Sequence, residues 1–219
     1  MMPLEATLEP LRHSPRLPDI VEALQTQLSD ETQRRREFYQ DMSDDQKMEF
    51  IDGEVVLHSP ARNRHLLAKA RLVKLLNTHV PLHRLGAVRD EKCLCVFPRN
   101  DYEPDIVFFG PEKTATLRPE TMKFPVPDFA VEVLSESTEG RDRGVKFEDF
   151  AAHGVAEYWI IDAELETVEQ YLQRGEVFEL ALKSGSGFIE SPVAAGFRIP
   201  IRAIFDEVEN LAALRGLLG

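Results

Sequence analysis

The apolar and polar positions of this chain alternate in patterns that predict short β-strands and amphipathic helices. The clearest pattern is a β-hairpin over residues 48–57, where Asp52-Gly53 offers the two positive-φ positions of a type I′ turn between two apolar runs. A second hairpin is predicted over residues 168–182. We therefore expect antiparallel strand pairs in two parts of the fold.

Three segments have the three- to four-residue apolar spacing of amphipathic helices, namely residues 19–40, 63–80 and 143–152. Pro81 is expected to stop the second helix, because proline disrupts a helix interior. Asp142 is a candidate N-cap of the third.

Further strands are predicted from short apolar runs, at residues 94–97, 106–109, 129–134, 155–161 and 197–205, the last leading into a short C-terminal helix. The proline-containing segments 1–18 and 114–127 are expected to be a loose arm and a surface loop. The strand–helix–strand order over residues 129–161 predicts a right-handed crossover and a parallel strand pair. Together with the hairpins, this order indicates a mixed sheet flanked by helices, of class α/β (α+β).

Two acidic residues interrupt segments that otherwise have the composition of buried strands. Asp105 precedes the apolar run 106–109, and Glu132 lies in the middle of the apolar run around it. A buried carboxylate is costly unless it is paired or coordinates a cation, so a divalent metal such as Mg²⁺ is one explanation for the two acids. The alternative is that Glu132 faces solvent or pairs with an arginine such as Arg141 or Arg143.

Composition restricts the functions that can be considered. The net charge of −12 among 219 residues lowers the expectation of a nucleic-acid binder, since phosphate contacts usually require a basic surface. It weighs more against tight, non-catalytic DNA binding than against a nuclease whose acids surround a metal. Cys93 and Cys95 are expected to be buried, reduced thiols. The N-terminus has no apolar signal region and no membrane-length apolar run is present, so a soluble cytoplasmic protein is expected.

Several longer segments resemble one known family. The segments MEFIDGEVV, EPDIVFF, PDFAVEVLSESTEGRDRGVKFEDFAAHGVAEYWIIDAELETVEQY and AGFRIPIRAIF are similar to the Uma2 family, also called DUF820, whose members are similar to PD-(D/E)xK restriction-type endonucleases. The resemblance implies a restriction endonuclease-like mixed β-sheet flanked by helices, with additional β-hairpins. It places a nuclease-like domain at residues 37–219 and leaves an N-terminal arm and helix at residues 1–36.

The resemblance also implies a metal site. Asp105 matches the family's Pro-Asp acid and Glu132 matches the acid of the (D/E)xK element, so both are expected to hold Mg²⁺ or Mn²⁺, together with the carbonyl of Val133. Glu49 matches an N-terminal acid that would provide a further metal ligand or hold a metal-bound water.

A lysine completes the implied catalytic set. The usual lysine position, two residues after the strand acid, is Leu134 here, and the family's lysine matches Lys146 in the following helix. Apart from the resemblance, Lys146 could equally be a surface lysine. Arg64, His65 and Lys69 are weaker candidates for contacts with substrate phosphates, because a solvated helix face explains them at least as well.

These features lead to one preferred function and two alternatives. The preferred function is a Mg²⁺-dependent endonuclease that cleaves nucleic acid, with DNA as the favoured substrate and a homodimer as a possible assembly. The first alternative is a catalytically inactive, nuclease-like binding or regulatory module. The second is a structural homo-oligomer assembled through hairpin edges.

Overall fold

The computed structural model describes residues 4–42 and 46–219 and consists of mixed sheets flanked by helices. In this part of the chain the helices are α1 Leu4–Arg12, α2 Leu17–Asp41, α3 Asn63–Leu82, α4 Pro111–Thr114, α5 Glu139–Asp142, α6 Val145–Ala152, α7 Arg202–Phe205 and α8 Glu207–Leu218. The strands are β1 Met48–Ile51, β2 Glu54–Leu57, β3 Ala87–Asp90, β4 Leu94–Val96, β5 Asp101–Tyr102, β6 Ile106–Phe109, β7 Lys123–Phe124, β8 Phe129–Val133, β9 Glu157–Asp162, β10 Thr167–Arg174, β11 Val177–Ser184, β12 Phe188–Ser191 and β13 Phe197–Pro200. The predicted α+β class is confirmed.

The strands of the described residues form three sheets. The central sheet has the order β11-β10-β9-β8-β6-β3, and a second sheet has the order β2-β1-β5-β4-β7. Strands β12 and β13 form a separate antiparallel pair. Strands β8 and β9 are parallel and are joined through α5 and α6, which confirms the predicted parallel strand pair.

Both predicted hairpins are present. Strands β1 and β2 are antiparallel and joined by the predicted two-residue turn, in which Asp52 and Gly53 have φ values of 51° and 83°. Strands β10 and β11 form the second hairpin, with a register shift between Gln170 and Tyr171. Two-residue turn chemistry can be read from sequence because it depends on local φ preferences alone.

The middle strands β6, β8 and β9 of the central sheet are buried on both faces, which explains their continuous apolar runs. Phe108 and Val131 face a core formed with α3, α7 and β13, whereas Val107 and Ala130 face a core formed with α6. Trp159 is fully buried in the first core. Cys93 and Cys95 are buried free thiols, as predicted.

Several short elements were not predicted. Strands β3, β5 and β12 lie outside the predicted strands, and the segment 114–127, expected to be a loop, contains the end of α4 and the short strand β7. These strands have two to four residues, so their pairing depends on tertiary neighbours rather than on a period of their own. Pro81 lies inside the last turn of α3, which ends one residue later.

Three other predictions were wrong. The strand predicted over residues 197–205 ends with β13 at Pro200, and Arg202–Phe205 form helix α7. Residues 4–12 of the predicted loose arm form helix α1, and residues 1–3 lie outside the described residues. Asp142 is not the N-cap of α6, because it ends α5 and Gly144 takes the capping position. Asp142 is 1% exposed and lies among other charged side chains.

Helix α2 is attached to the second sheet through its C-terminal half. Phe38 packs against Phe50, with ring centroids 5.7 Å apart, and Arg35 donates hydrogen bonds of 2.7 and 2.6 Å to Asp101. The predicted domain boundary at residue 36 falls within this helix and stays a prediction. No helix in residues 4–42 or 46–219 has the combination of length and apolar composition needed to cross a membrane.

Candidate active site in the cleft between the helix α3 and the central sheet

A cleft of about 720 Å³ opens beside the N-terminal end of α3, and the two predicted acids lie in its lining. Strands β6 and β8 are antiparallel with Ile106 opposite Val131, so the next residues outward, Asp105 and Glu132, stand opposite each other. The backbone N–H of Asp105 donates to Glu132 Oε2 at 3.4 Å, and the N–H of Val133 donates to Asp105 Oδ2 at 2.9 Å. The sheet register therefore brings the two acids together.

Helix α6 brings Lys146 to the same place. Its ammonium lies 2.8 Å from Glu132 Oε1, 2.9 Å from Glu49 Oε1 and 3.3 Å from Asp142 Oδ1. Lys146 is only 1% exposed, so it is not a surface lysine. Because Glu132 points to the sheet face that α6 covers, a lysine in the first turn of α6 reaches its carboxylate.

Glu49 anchors the buried end of this cluster. It accepts a hydrogen bond of 2.9 Å from the backbone N–H of Glu103, and its Oε2 lies 3.0 Å from Nε2 of His58. Burial alone would raise its pKa, but the charge of Lys146 and the contact with His58 outweigh burial and lower the pKa to about 2. Glu49 is therefore a stable anion inside the protein.

Asp105 lies at the opposite end of the charged cluster from Glu49, where the cluster meets the cleft. Lys47 Nζ lies 3.3 Å from its Oδ1 and His65 Nε2 lies 3.4 Å from its Oδ2. Burial opposes ionisation of this carboxyl, yet Lys47, His65 and the N–H of Val133 hold its pKa below the ordinary value.

Glu132 has the opposite electrostatic character. Burial, together with the nearby acids Asp142 and Asp105, outweighs the charge of Lys146 and raises the pKa of Glu132 to about 8. Its environment therefore favours an added positive charge. The predicted alternative of a pair with Arg141 or Arg143 is wrong for Arg143, whose guanidinium binds Glu139 and Glu169.

The donor set suits a hard cation that needs few protein ligands. Asp105 and Glu132 supply carboxylate oxygens in one cleft, and Mg²⁺ is typically held by one or two carboxylates plus water and substrate phosphate. No group of three or more His, Cys, Asp or Glu side chains is arranged as a metal site among the described residues. Glu49 is enclosed with Lys146, His58 and Glu103, so its predicted role as a further ligand stays a prediction.

The weaker substrate candidates all line the cleft, on the first three turns of α3. His65 contacts Asp105, while Arg64 lies 3.3 Å from Glu164 and Lys69 forms an ion pair with Glu91. The expectation of a fully solvated helix face is therefore wrong for His65 and Lys69, which are largely buried.

Sequence reasoning missed Lys47, His58 and the site position of Asp142. Asp142 is the last residue of α5, and its carboxylate contacts Lys146, four residues later in the first turn of α6. The spacing of four is readable from sequence, but the two residues belong to separate helices, so the spacing alone does not bring their side chains together. Lys47 and His58 flank the first hairpin, and only the tertiary fold shows that both ends of this hairpin meet the site.

Comparisons with known proteins agree with this architecture. The family model Uma2, described as "Putative restriction endonuclease", matches residues 36–202. A solved structure described as a "putative nuclease belonging to DUF820" from Anabaena variabilis ATCC 29413 superposes with a TM-score of 0.67 and 22% sequence identity, covering 78% of this chain and 96% of that chain. At this identity the similarity shows the fold. No curated protein matches the chain.

Proposed function

This chain belongs to the Uma2 family of restriction-endonuclease-type proteins, and from that premise we propose that it is a divalent-metal-dependent endonuclease that hydrolyses phosphodiester bonds of DNA. The observation that carries the proposal is that Asp105 and Glu132 stand opposite each other at the cleft, and that the Lys146 ammonium donates a hydrogen bond to Glu132. Paired buried acids of this kind are costly unless a cation or a proton compensates them.

Asp105 and Glu132 would hold Mg²⁺ or Mn²⁺, with the carbonyl of Val133 as a further oxygen ligand. The bound ion would polarise a phosphoryl oxygen and lower the pKa of a bound water. Glu132 suits this role because burial and the neighbouring acids raise its pKa to about 8, so a bound cation would favour its ionised form. Asp105 suits it because it is already ionised.

Lys146 orients Glu132 and stabilises its ionised form, since its ammonium is fixed by three carboxylates and is almost fully buried. In this proposal the positive charge of Lys146 also helps to orient the attacking water and to stabilise the negative charge that develops on the phosphate. Lys47 lines the cleft itself, beside Asp105, and its ammonium is a positive group that can meet phosphate oxygens there.

Assembly and location belong to the same proposal. Cleavage of both strands of a DNA duplex is simplest for a symmetric homodimer, in which each copy places one cleft on one strand. The two buried free thiols are compatible with a reducing cytoplasmic compartment.

Metal binding provides the first test. We expect Mn²⁺ to raise the Tm of the wild-type protein and to leave the Tm of Glu132→Gln and Asp105→Asn unchanged. Glu157→Gln is a matched control, because Glu157 is a buried strand glutamate on β9 that hydrogen-bonds Trp159 and Ser191 instead of lining the cleft. An equal Mn²⁺ shift in all four proteins would refute the assignment of the ligands.

Cleavage provides the second test. With Mg²⁺ the wild-type protein is expected to nick or linearise a supercoiled plasmid, and Asp105→Asn, Glu132→Gln and Lys146→Met are expected to lose at least about a hundredfold in rate, the usual scale for removing a group that stabilises transition-state charge. A wild-type protein that binds Mn²⁺ and DNA but leaves every substrate intact would favour the inactive binding module.

A further inference from the structure

The rim of the cleft has a charge arrangement that the proposed chemistry does not require. Three basic side chains, one from the residue that precedes α3 and two from its first two turns, line the cleft, and each contacts a glutamate from a different loop that also lines it. The pairs are Arg62 with Glu136, Arg64 with Glu164, and Lys69 with Glu91.

The glutamates come from three separate connections around the mouth of the cleft. Glu136 follows β8, Glu164 lies between β9 and β10, and Glu91 lies between β3 and β4. Each therefore reaches α3 from a different side, and the first two approach the arginines to 2.8 and 3.3 Å. Three cations at the cleft are thus each paired with a carboxylate.

The Glu91 contact is held by an unusual backbone conformation. Glu91 and Lys92 have φ values of 54° and 31°, in a region that non-glycine residues rarely occupy. Such strain persists only where surrounding contacts maintain it, and it concentrates at functional sites. Lys69, its partner, is largely buried, so this pair is the least screened of the three.

The other two pairs are readily displaced. The side chains of Arg62 and Glu136 are 60% and 80% exposed, and those of Arg64 and Glu164 are 43% and 64% exposed. Exposed ion pairs contribute little net free energy, so an incoming phosphate can replace the glutamate on an arginine.

We propose that Arg62, Arg64 and Lys69 bind the phosphate backbone of a DNA duplex and that the three rim glutamates compete with it for these cations, acting as built-in phosphate mimics. This inference rests on the proposed function for the identity of the substrate. Because each glutamate must be displaced, a phosphate that contacts a single cation gains little binding free energy. A duplex that contacts all three cations at once therefore binds better than an isolated phosphate. The acidic rim thus reduces non-specific binding of short or isolated phosphates.

The test measures binding without cleavage, by fluorescence anisotropy of a labelled 20-base-pair DNA duplex in EDTA. We expect Glu91→Gln, Glu136→Gln and Glu164→Gln each to tighten Kd about twofold to fivefold, the range set by one exposed ion pair, and the triple variant to tighten it about tenfold or more. Arg62→Ala, Arg64→Ala and Lys69→Ala should each weaken binding and reduce the salt dependence of log K by about one unit of slope.

Glu207→Gln is the matched control, because Glu207 also neutralises two cations of α3, Arg71 and Lys74, outside the cleft. It changes the net charge by the same unit, so it measures the general electrostatic effect. Rim variants that bind no tighter than Glu207→Gln, or rim and wild-type proteins that all fail to bind the duplex, overturn the inference. If the rim variants bind DNA more tightly but the wild-type protein cleaves no substrate, the inference holds and the proposed nuclease activity is refuted. If the wild-type protein cleaves DNA but the rim variants bind it with unchanged Kd, the nuclease activity holds and the inference is refuted.

Discussion

Replacing Lys146 by methionine tests the electrostatic core of the site most directly. Methionine keeps an unbranched side chain of similar length but removes the charge that faces Glu49, Glu132 and Asp142. Glu49 is the partner that is firmly ionised, at 2.9 Å from the ammonium. At an effective dielectric constant of 20 this single contact has a gross attraction of about 6 kcal/mol.

The net loss is smaller than the gross attraction. Without Lys146 the carboxyls gain protons, and breaking a buried ion pair typically costs about 3–5 kcal/mol. We therefore expect Lys146→Met to lose about 3–5 kcal/mol of unfolding free energy at pH 7.5, a substantial part of the stability of an ordinary domain. Urea unfolding followed by circular dichroism in EDTA measures this loss.

The pH dependence gives the sign check. In the wild-type protein the folded pKa of Glu49 is lowered to about 2, so its stabilisation is present above the unfolded value of 4.5 and is lost as pH falls toward 2. In Lys146→Met the same carboxyl is expected to have a raised pKa, so the variant loses stability as pH rises above 4.5. The difference between the two proteins should accordingly shrink from pH 7.5 to pH 5.

Lys113→Met serves as the control, because Lys113 pairs with Asp128 at 2.6 Å but is 31% exposed. Its loss should stay within about 1 kcal/mol at both pH values. If Lys146→Met were as stable as the wild-type protein at pH 7.5, or equally destabilised at both pH values, the reasoning about this buried cluster would be refuted.

Three further predictions concern stability. In EDTA, Glu132→Gln should flatten the pH dependence of the unfolding free energy between about pH 5 and 8. The pKa of Glu132 is raised to about 8 in the folded protein, so its stabilisation is complete below pH 4.5 and is lost as pH rises through 8. Urea unfolding of both proteins across this pH range measures the effect, and parallel pH profiles would contradict the prediction. Gly86→Ala should lower Tm strongly, since φ is +140° and the added Cβ would lie 2.0 Å from the Phe109 carbonyl oxygen. Gly216→Ala in α8, where the added Cβ meets open space, should change Tm little or raise it, and equal Tm changes in the two variants would contradict this reasoning. Phe38→Ala should cost about 3–5 kcal/mol in urea unfolding if the C-terminal half of α2 belongs to the folded domain, and a loss below about 1 kcal/mol would place that helix outside it.

The sequence alone determined the features that depend on local chemistry. The hairpin at Asp52-Gly53, the long helices and the parallel crossover all follow from turn preferences and from short-range periodicity, and the structure confirms them. Asp105 and Glu132 could also be identified from sequence, because a carboxylate within an apolar strand is unusual whatever its neighbours in the fold are.

Tertiary structure decided which of these residues meet. The register of β6 against β8 places Asp105 opposite Glu132, and the packing of α6 on that sheet face turns Lys146 inward. The rim pairs of α3, the enclosure of Glu49 and the strands of two to four residues are equally non-local. Sequence spacing cannot determine such contacts, because they join segments far apart in the chain whose approach is set by sheet order and helix packing.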